Sequence, residues 1–447
     1  MSELNARDLS AVEIAEQVRR GAVSAEAVTT ACLDRIEQRE PEVRAWAFLD
    51  TDLAIEQARR IDARVAAGEN PGPLTGVPVG LKDIIDTADM PTACGSDLFA
   101  GRQPTRDAKA TALLRDAGAV ILGKAITTEF AMTGVRGTRN PHDPTRTPGG
   151  SSSGSGAAVG DGMVPLALGS QTGGSMLRPA SFCGCHGFKP TYGTISRAGV
   201  FTLSRRLDHL GVYARSLGDL ALAADVLMVH DADDPDMRAH ARRNLGAALA
   251  EPLNEPPRLG IFRGPPWARA EAHMPPVFDA YVAGLGAVAS EVPALPEADH
   301  VLDVHGVIMN GNLAANLGPY LEPGPEFGDA EVLPETRRRV EAGAGVSAAD
   351  YIRALDQATE IARLFDRVFG EYDALITAAA PGEAPVGLDG TGDATFQKIW
   401  TLIGAPALSL PLMQGPNGMP IGLQVICRPG GDGQLFKIAK WIEEQTV

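Results

Sequence analysis

Aromatic residues make up only 5% of this 447-residue chain, and its cysteines number five: Cys32, Cys94, Cys183, Cys185 and Cys427. An odd set with no regular spacing excludes a disulfide-stapled scaffold and predicts reduced thiols in a cytoplasmic protein. No apolar run approaches the roughly 18 residues of a membrane span. The opening MSELNARDLS lacks the basic-then-apolar plan of a signal peptide. Positive charge is also short: 40 Lys and Arg stand against 56 Asp and Glu, a net charge of −16. That balance predicts no nucleic-acid partner and no membrane partner, and an anionic ligand would need a local positive site. No G-x-x-x-x-G-K-[ST] pattern occurs, which disfavours a P-loop. Cys183-Gly184-Cys185-His186 invites a metal reading, but no second ligand cluster accompanies it, so neither metal nor cofactor is expected.

What the chain does have is concentrated in PGGSSSGSGAAVGDGMVPLALGSQTGGSMLRPA, residues 148–180. Two serine clusters, Gly149 to Ser153 and Thr172 to Ser175, flank an Ala/Gly-rich helical piece and an apolar strand-like run from Val164 to Leu168. A flexible Gly/Ser linker would share the composition, but the apolar runs and Pro165 and Pro179 read as ordered structure. A Gly-Gly-Ser turn exposes a hydroxyl and frees backbone N–H groups to face an anion. Ser175, with the amides of Thr172, Gly173 and Gly174, is thus a candidate nucleophile with an oxyanion hole. Gly150 to Gly154 also matches G-x-S-x-G, but that elbow needs a strand directly before it. Here the Pro-rich NPHDPTRTPGG precedes it, and the match reads as accidental.

A serine nucleophile needs a base. In LTGVPVGLKDIIDT, residues 74–87, Val77, Val79 and Leu81 alternate with small residues and deliver Lys82 at the end of a buried strand. From a reference pKa near 10.4, a neutral lysine at pH 7 costs about 4.6 kcal/mol, which burial can supply. Pairing of Lys82 with Asp83 or Asp86 is the equally weighted alternative. Lys124, after the run AVILGK, is a rival base, and His209 reads as a hydrogen-bonded loop histidine.

The segments around Lys82, Ser151 and Ser175, followed by FCGCHGFKPTYG, resemble the amidase signature family. The resemblance runs from about 74 to 211 and resumes in DALITAAAP and PIGLQVI. It implies an α/β fold of three layers, α/β/α, around a twisted mixed sheet. It further implies Ser175 as nucleophile, Ser151 as a bridging serine on a cis peptide bond, and Lys82 as terminal base. Ammonia or an amine would leave a carboxylic amide through an acyl-enzyme. Ser153 stands where the common pattern has glycine, Gln171 where it has aspartate, and Arg178 one place late. Those departures, with KDIIDTADMPTACGS, resemble the malonamidase branch. They imply substrate contacts at Arg178, Ser152 and Gln171 and a dicarboxylic monoamide such as malonamate as substrate. Urea, carbamoyl or aryl amide hydrolysis is an alternative, as is the A-type chain of a tRNA-dependent amidotransferase. The expected partners are a small amide substrate and a second copy in a homodimer.

Along the chain, one domain over 1–447 is expected, with an N-terminal helical cover over 1–70. Within that cover Ser24 caps a helix, and Pro41 separates it from the next. A signature core follows over 74–211. Helices are predicted over 109–117, 216–229 and 347–369, with strands over 119–124 and 259–262. A Gly-, Pro- and Asn-rich stretch, 293–346, would shape the pocket, with His305, Asn310 and Asn312 as polar groups. That stretch or the Gly-rich loop 382–395 is a candidate lid.

Overall fold

The computed structural model describes residues 9–237, 244–322, 324, 327 and 330–445; residues 1–8 of the expected helical cover and five positions within 293–346 lie outside them. Among the described residues, eleven strands form one sheet. They are β1 (Trp46–Leu49), β2 (Pro78–Lys82), β3 (Val120–Ala125), β4 (Leu166–Gln171), β5 (His186–Lys189), β6 (His209–Ala214), β7 (Leu259–Ile261), β8 (Ala289–Glu291), β9 (Ala374–Ala378), β10 (Ala407–Gln414) and β11 (Pro420–Ile426). Their order is β1-β3-β2-β4-β6-β5-β10-β11-β9-β7-β8. β2 runs parallel to β3 and β4, and β7 parallel to β8 and β9, while β4–β6, β6–β5, β5–β10, β10–β11 and β11–β9 are antiparallel.

Alternation of side chains along these strands feeds cores on both faces. Val79, Leu81, Leu166, Leu168, Leu210 and Val212 join Leu220, Leu435 and Phe436 of covering helices on one side. Ala167 and Tyr213 join Ala157, Ala158 and Ala180 on the other. The result is the α/β/α layering expected.

Several local expectations are corrected. The helix capped by Ser24 runs Ala25–Val43 straight through Pro41 and ends where Arg44 turns left-handed. β1 then interrupts the expected helical cover and pairs antiparallel with β3. The stretch 293–346 contains the helices Val301–Leu317 and Pro334–Ala344. Two of its glycines serve close packing there: a Cβ on Gly343 would lie 2.3 Å from the carbonyl oxygen of Asn310, and one on Gly311 would lie 2.8 Å from Tyr351 Cδ2.

The same device organises the Gly/Ser-rich segment. The helix Ser153–Asp161 packs on the helix Leu177–Cys183 through glycines. A Cβ on Gly156 would sit 2.9 Å from Pro179 Cβ, and one on Gly160 would sit 2.3 Å from the Cys183 carbonyl oxygen. Each helix begins just after a serine cluster, so their contact sets the spacing of the two clusters. Gly160→Ala tests this. Helix propensity alone would gain about 1 kcal/mol, whereas forcing a methyl group onto a backbone carbonyl typically costs about 1–3 kcal/mol. We expect a net loss of stability in urea unfolding; an unchanged or higher midpoint would refute the packing account.

Candidate active site

Lys82 ends β2, and Ser170 lies near the end of the neighbouring parallel strand β4, whose Leu168 is in register with Leu81. Lys82 Nζ is wholly buried and lies 2.7 Å from Ser151 Oγ and 2.7 Å from Ser170 Oγ. The alternative pairings of Lys82 are absent among the described residues. Asp83 sits 3.4 Å from Lys124 Nζ, and Asp86 receives a bidentate fork from Arg102. Lys124, the rival base, is further occupied by Thr92 Oγ1 at 2.6 Å. Without a bonded carboxylate, burial pulls the Lys82 pKa down to about 7, although the charge of Asp208 acts in the opposite direction. An amine of that pKa can take a proton from a hydroxyl at neutral pH.

Ser151 follows a cis Gly150–Ser151 peptide bond. Ser152 is buried, and its Oγ lies 3.2 Å from both the amide nitrogen and the carbonyl oxygen of Ser170. It therefore braces the lysine pocket from within rather than facing a ligand.

The loop from Thr172 to Ser175 is held by its carbonyls. His305 Nε2 donates to Thr172 O at 2.9 Å, Thr401 Oγ1 to Gly173 O at 2.9 Å, the Arg178 amide to Gly174 O at 3.2 Å, and Tyr213 Oη to Ser175 O at 3.1 Å. The amides of Gly173, Gly174 and Ser175 donate to no acceptor among the described residues. With every carbonyl turned away and satisfied, these N–H groups remain available for an oxyanion. Gly173 and Ser175 are also the residues of the loop left half-buried while Thr172 and Gly174 are buried. Thr172 Oγ1 donates to Asp208 at 2.6 Å, which anchors the loop's entry.

Gln171 and Arg178 are placed differently from the substrate contacts expected of them. Gln171 Oε1 accepts from the amides of Met176 and Leu177, and its Nε2 donates to Thr401 Oγ1. A longer amide thus satisfies the first turn of the helix that follows Ser175. Arg178 is buried and donates to the carbonyls of Gly150 and Gly392 and to Thr391 Oγ1. It ties the Gly-rich loop, the candidate lid, to the first serine cluster. Burial lowers its pKa to about 10.

Other sequence candidates resolve as scaffold. His209 opens β6, donates from Nδ1 to Leu207 O at 2.7 Å, and burial drives its pKa well down. Cys183 and Cys185 are buried against carbonyls, and His186 turns to Glu443 at 2.6 Å. Asn312 donates to Ile308 O and Tyr351 Oη, within its own helix layer. Sequence reasoning missed Ser170 and Asp208. Ser170 had a signal: a hydroxyl one place before Gln171 at the end of an apolar strand parallel to β2. Lys189 is a second buried lysine with a pKa pulled down to about 7, but it faces the carbonyls of Pro190 and Ala405 rather than a hydroxyl. Among the described residues no helix is long and apolar enough to cross a membrane.

This geometry has counterparts. Residues 27–436 match the family model described as Amidase. The A-type chain of the glutamyl-tRNA(Gln) amidotransferase of Carboxydothermus hydrogenoformans is 36% identical over 98% of this chain and 97% of its own. That of Chloroflexus aggregans is 35% identical over 100% and 98%. Among solved structures, a chain of the inhibitor-bound vestigial protein complex tied to the origins of an s-triazine catabolic enzyme is 31% identical. It superposes with a TM-score of 0.90, covering 98% of both chains. The native peptide amidase of Stenotrophomonas maltophilia is 28% identical, with a TM-score of 0.83 over 98% and 97%.

These relatives correct the expectation of a self-contained homodimer without nucleic acid. Proteins alike over nearly their whole length are named as component chains of a glutamyl-tRNA(Gln) amidotransferase. Overall acidity misled because it averages over the surface and says nothing about which faces meet other chains. From residue 27 to 436 the chain carries the family's model, and near-complete relatives share a third of its sequence: it belongs to the amidase family, whose members act on amide C–N bonds.

Proposed function

We propose that this chain is the ammonia-releasing amidase component of a multi-chain enzyme of the kind to which its amidotransferase relatives belong. The observation that carries the reading is the buried, carboxylate-free Lys82 amine touching Ser151 Oγ, beside a loop whose amides are unoccupied. Ser175 Oγ adds to the amide carbonyl carbon and the π pair moves to oxygen, held by the amides of Gly173 to Ser175. The Ser175 proton passes to Ser151 as Ser151 gives its own to Lys82. Collapse of the intermediate breaks the C–N bond, the relay returns a proton to nitrogen, and ammonia leaves. Water, deprotonated by the same relay, then cleaves the ester.

This multi-chain reading draws more support than hydrolysis of free malonamate. The amidotransferase relatives align from end to end, while Arg178, the residue on which the malonamate reading rested, is taken up in holding the loop.

A neutral lysine base sets a pH signature. Below about pH 7, kcat/KM for ammonia release should fall tenfold per unit as Lys82 takes up its proton, and above it should level off. A profile flat from pH 5.5 to 8.5 would refute the assignment. Lys82→Ala and Ser175→Ala should each lower kcat by about 10²–10⁴-fold at unchanged melting temperature, while His209→Ala retains most activity; survival of Lys82→Ala would overturn the relay. Native mass measurement of the enzyme isolated from its source should find this 46.8 kDa chain in stoichiometric complex with an unlike chain. Species at whole multiples of its own mass alone would remove the multi-chain reading.

A further inference from the structure

Lys82 Nζ has two hydroxyl partners at equal distance, Ser151 Oγ and Ser170 Oγ, each at 2.7 Å. Only one of those contacts can carry the chemistry. A neutral amine has one lone pair and two N–H groups, so it accepts from one hydroxyl and donates to the other. The relay needs the lone pair at Ser151; the mirror arrangement, with the lone pair at Ser170, blocks it. Distance does not choose between them, so the choice rests on what lies behind Ser170.

Ser170 Oγ has no hydrogen-bond partner but Lys82 among the described residues, and its own O–H is uncommitted. The antiparallel register of β4 and β6 sets Leu210 opposite Ser170 and His209 opposite Gln171. One step further along, Asp208 comes opposite Thr172, and side-chain alternation puts Ser170, Thr172 and Asp208 on one face. These three line a pocket of about 10 Å³, walled by Ile84, Phe201 and Leu210. That is room for about one water molecule.

Asp208 meets the pocket as an acceptor. Its Oδ2 takes the amides of Leu203 and Ser204, both at 2.9 Å, and its Oδ1 takes the Thr172 hydroxyl at 2.6 Å. Burial acts against its ionisation, while these donors and the charge of Arg197 act for it. A carboxylate so served keeps a lone pair on Oδ1 for one more donor. The other charged or titratable groups nearby supply no rival acceptor. Arg197 is held by Asp234 and Asp236, and Asp83 by Lys124. Burial keeps His209 neutral and the Cys94 thiol protonated.

Resting on the amidase reading above, we infer that Ser170 and Asp208 form an orienting arm of the relay. Through one water in this pocket the carboxylate draws the Ser170 O–H away from the amine. Ser170 Oγ is left as an acceptor for an Nζ–H, and the Lys82 lone pair turns to Ser151. Both are positioning residues, acting on the amide only through Lys82.

The test reads the second-order rate at which a fluorophosphonate labels Ser175 from pH 5.5 to 8.5, because labelling uses the relay without any amide substrate. Asp208→Asn keeps the shape and reverses the arm: the amides of Leu203 and Ser204 claim the new amide oxygen, so its NH2 group faces the pocket as a donor. The plateau above about pH 7 should fall at least about tenfold. A role through charge alone would instead move the acid limb to lower pH, since the lost charge favours the protonated amine, and would leave the plateau within about twofold of the unaltered protein. That outcome overturns the arm. Ser170→Ala should lower the plateau by a similar factor, and the double variant should fall no further than the larger single loss. Losses that multiply, as when Asp208 acts only by anchoring Thr172, also overturn it. A crystal structure of the unaltered protein tests the arm without any variant having to fold. A water within about 3 Å of both Ser170 Oγ and Asp208 Oδ1 upholds it, and a pocket without one overturns it. Absence of labelling in the unaltered protein would count against the amidase reading itself, and the crystal structure would then settle the arm.

Discussion

The constraint on which this structure turns is the desolvation of one amine. Lys82 is delivered by β2 into the interior, where its natural counter-ions are already taken: Asp83 by Lys124 and Asp86 by Arg102. A lysine left with only hydroxyl partners cannot keep its proton at the usual cost, and its pKa falls toward neutrality. The two neighbouring ion pairs are thus as much part of the site as the serines, because they keep carboxylates away from Nζ. Asp208 is the exception that tunes this. It is close enough to act on Lys82 by charge, yet it is bound to Thr172 Oγ1 and to the amides of Leu203 and Ser204. One carboxylate thereby couples the electrostatics of the amine to the placement of the oxyanion loop.

Around that amine, helix packing does what loops alone could not. The residues that resemble a linker in composition form two short helices whose glycines let backbones approach to contact. Their N-terminal ends carry the two serine clusters. Gln171 reaches across to satisfy the first amides of the second helix, and Arg178 reaches back from that helix to the Gly150 carbonyl. The clusters are therefore fixed to each other by side chains that reading from sequence assigns to substrate. Both groups suit either task, since an amide or a guanidinium serves a carbonyl as readily as a ligand. Only the three-dimensional census of carbonyls decides.

What could be read in the sequence followed the strength of local signals. The strands carrying Lys82 and Ser170, the caps at Ser24, Ser216 and Ser347, and the α/β layering all follow from apolar alternation and capping chemistry. The helices of 301–317 and 334–344 did not, because glycines that permit close helix contact look the same as glycines that permit turns. β1 escaped for a different reason: a four-residue edge strand between two helices has too short a pattern to stand out from them. Among site residues, the serine clusters and Lys82 announced themselves through their immediate neighbours. Asp208 could not, since it matters through its charge on Lys82 and its bond to Thr172 Oγ1, and both are properties of space rather than of sequence.

Space likewise limits net charge as a guide to partners. A chain with 16 excess negative charges has a field that repels anions at long range, yet screening confines such a field to about 8–10 Å at physiological salt. Inside that distance, what counts is the local set: around Lys82, Asp83 and Asp86 are each paired with another cation while Asp208 acts on the amine by charge. Net charge therefore excludes little about either a small anionic ligand or a polyanionic one. The quantity that decides recognition is the balance of committed and uncommitted charge at each face, which overall composition cannot report.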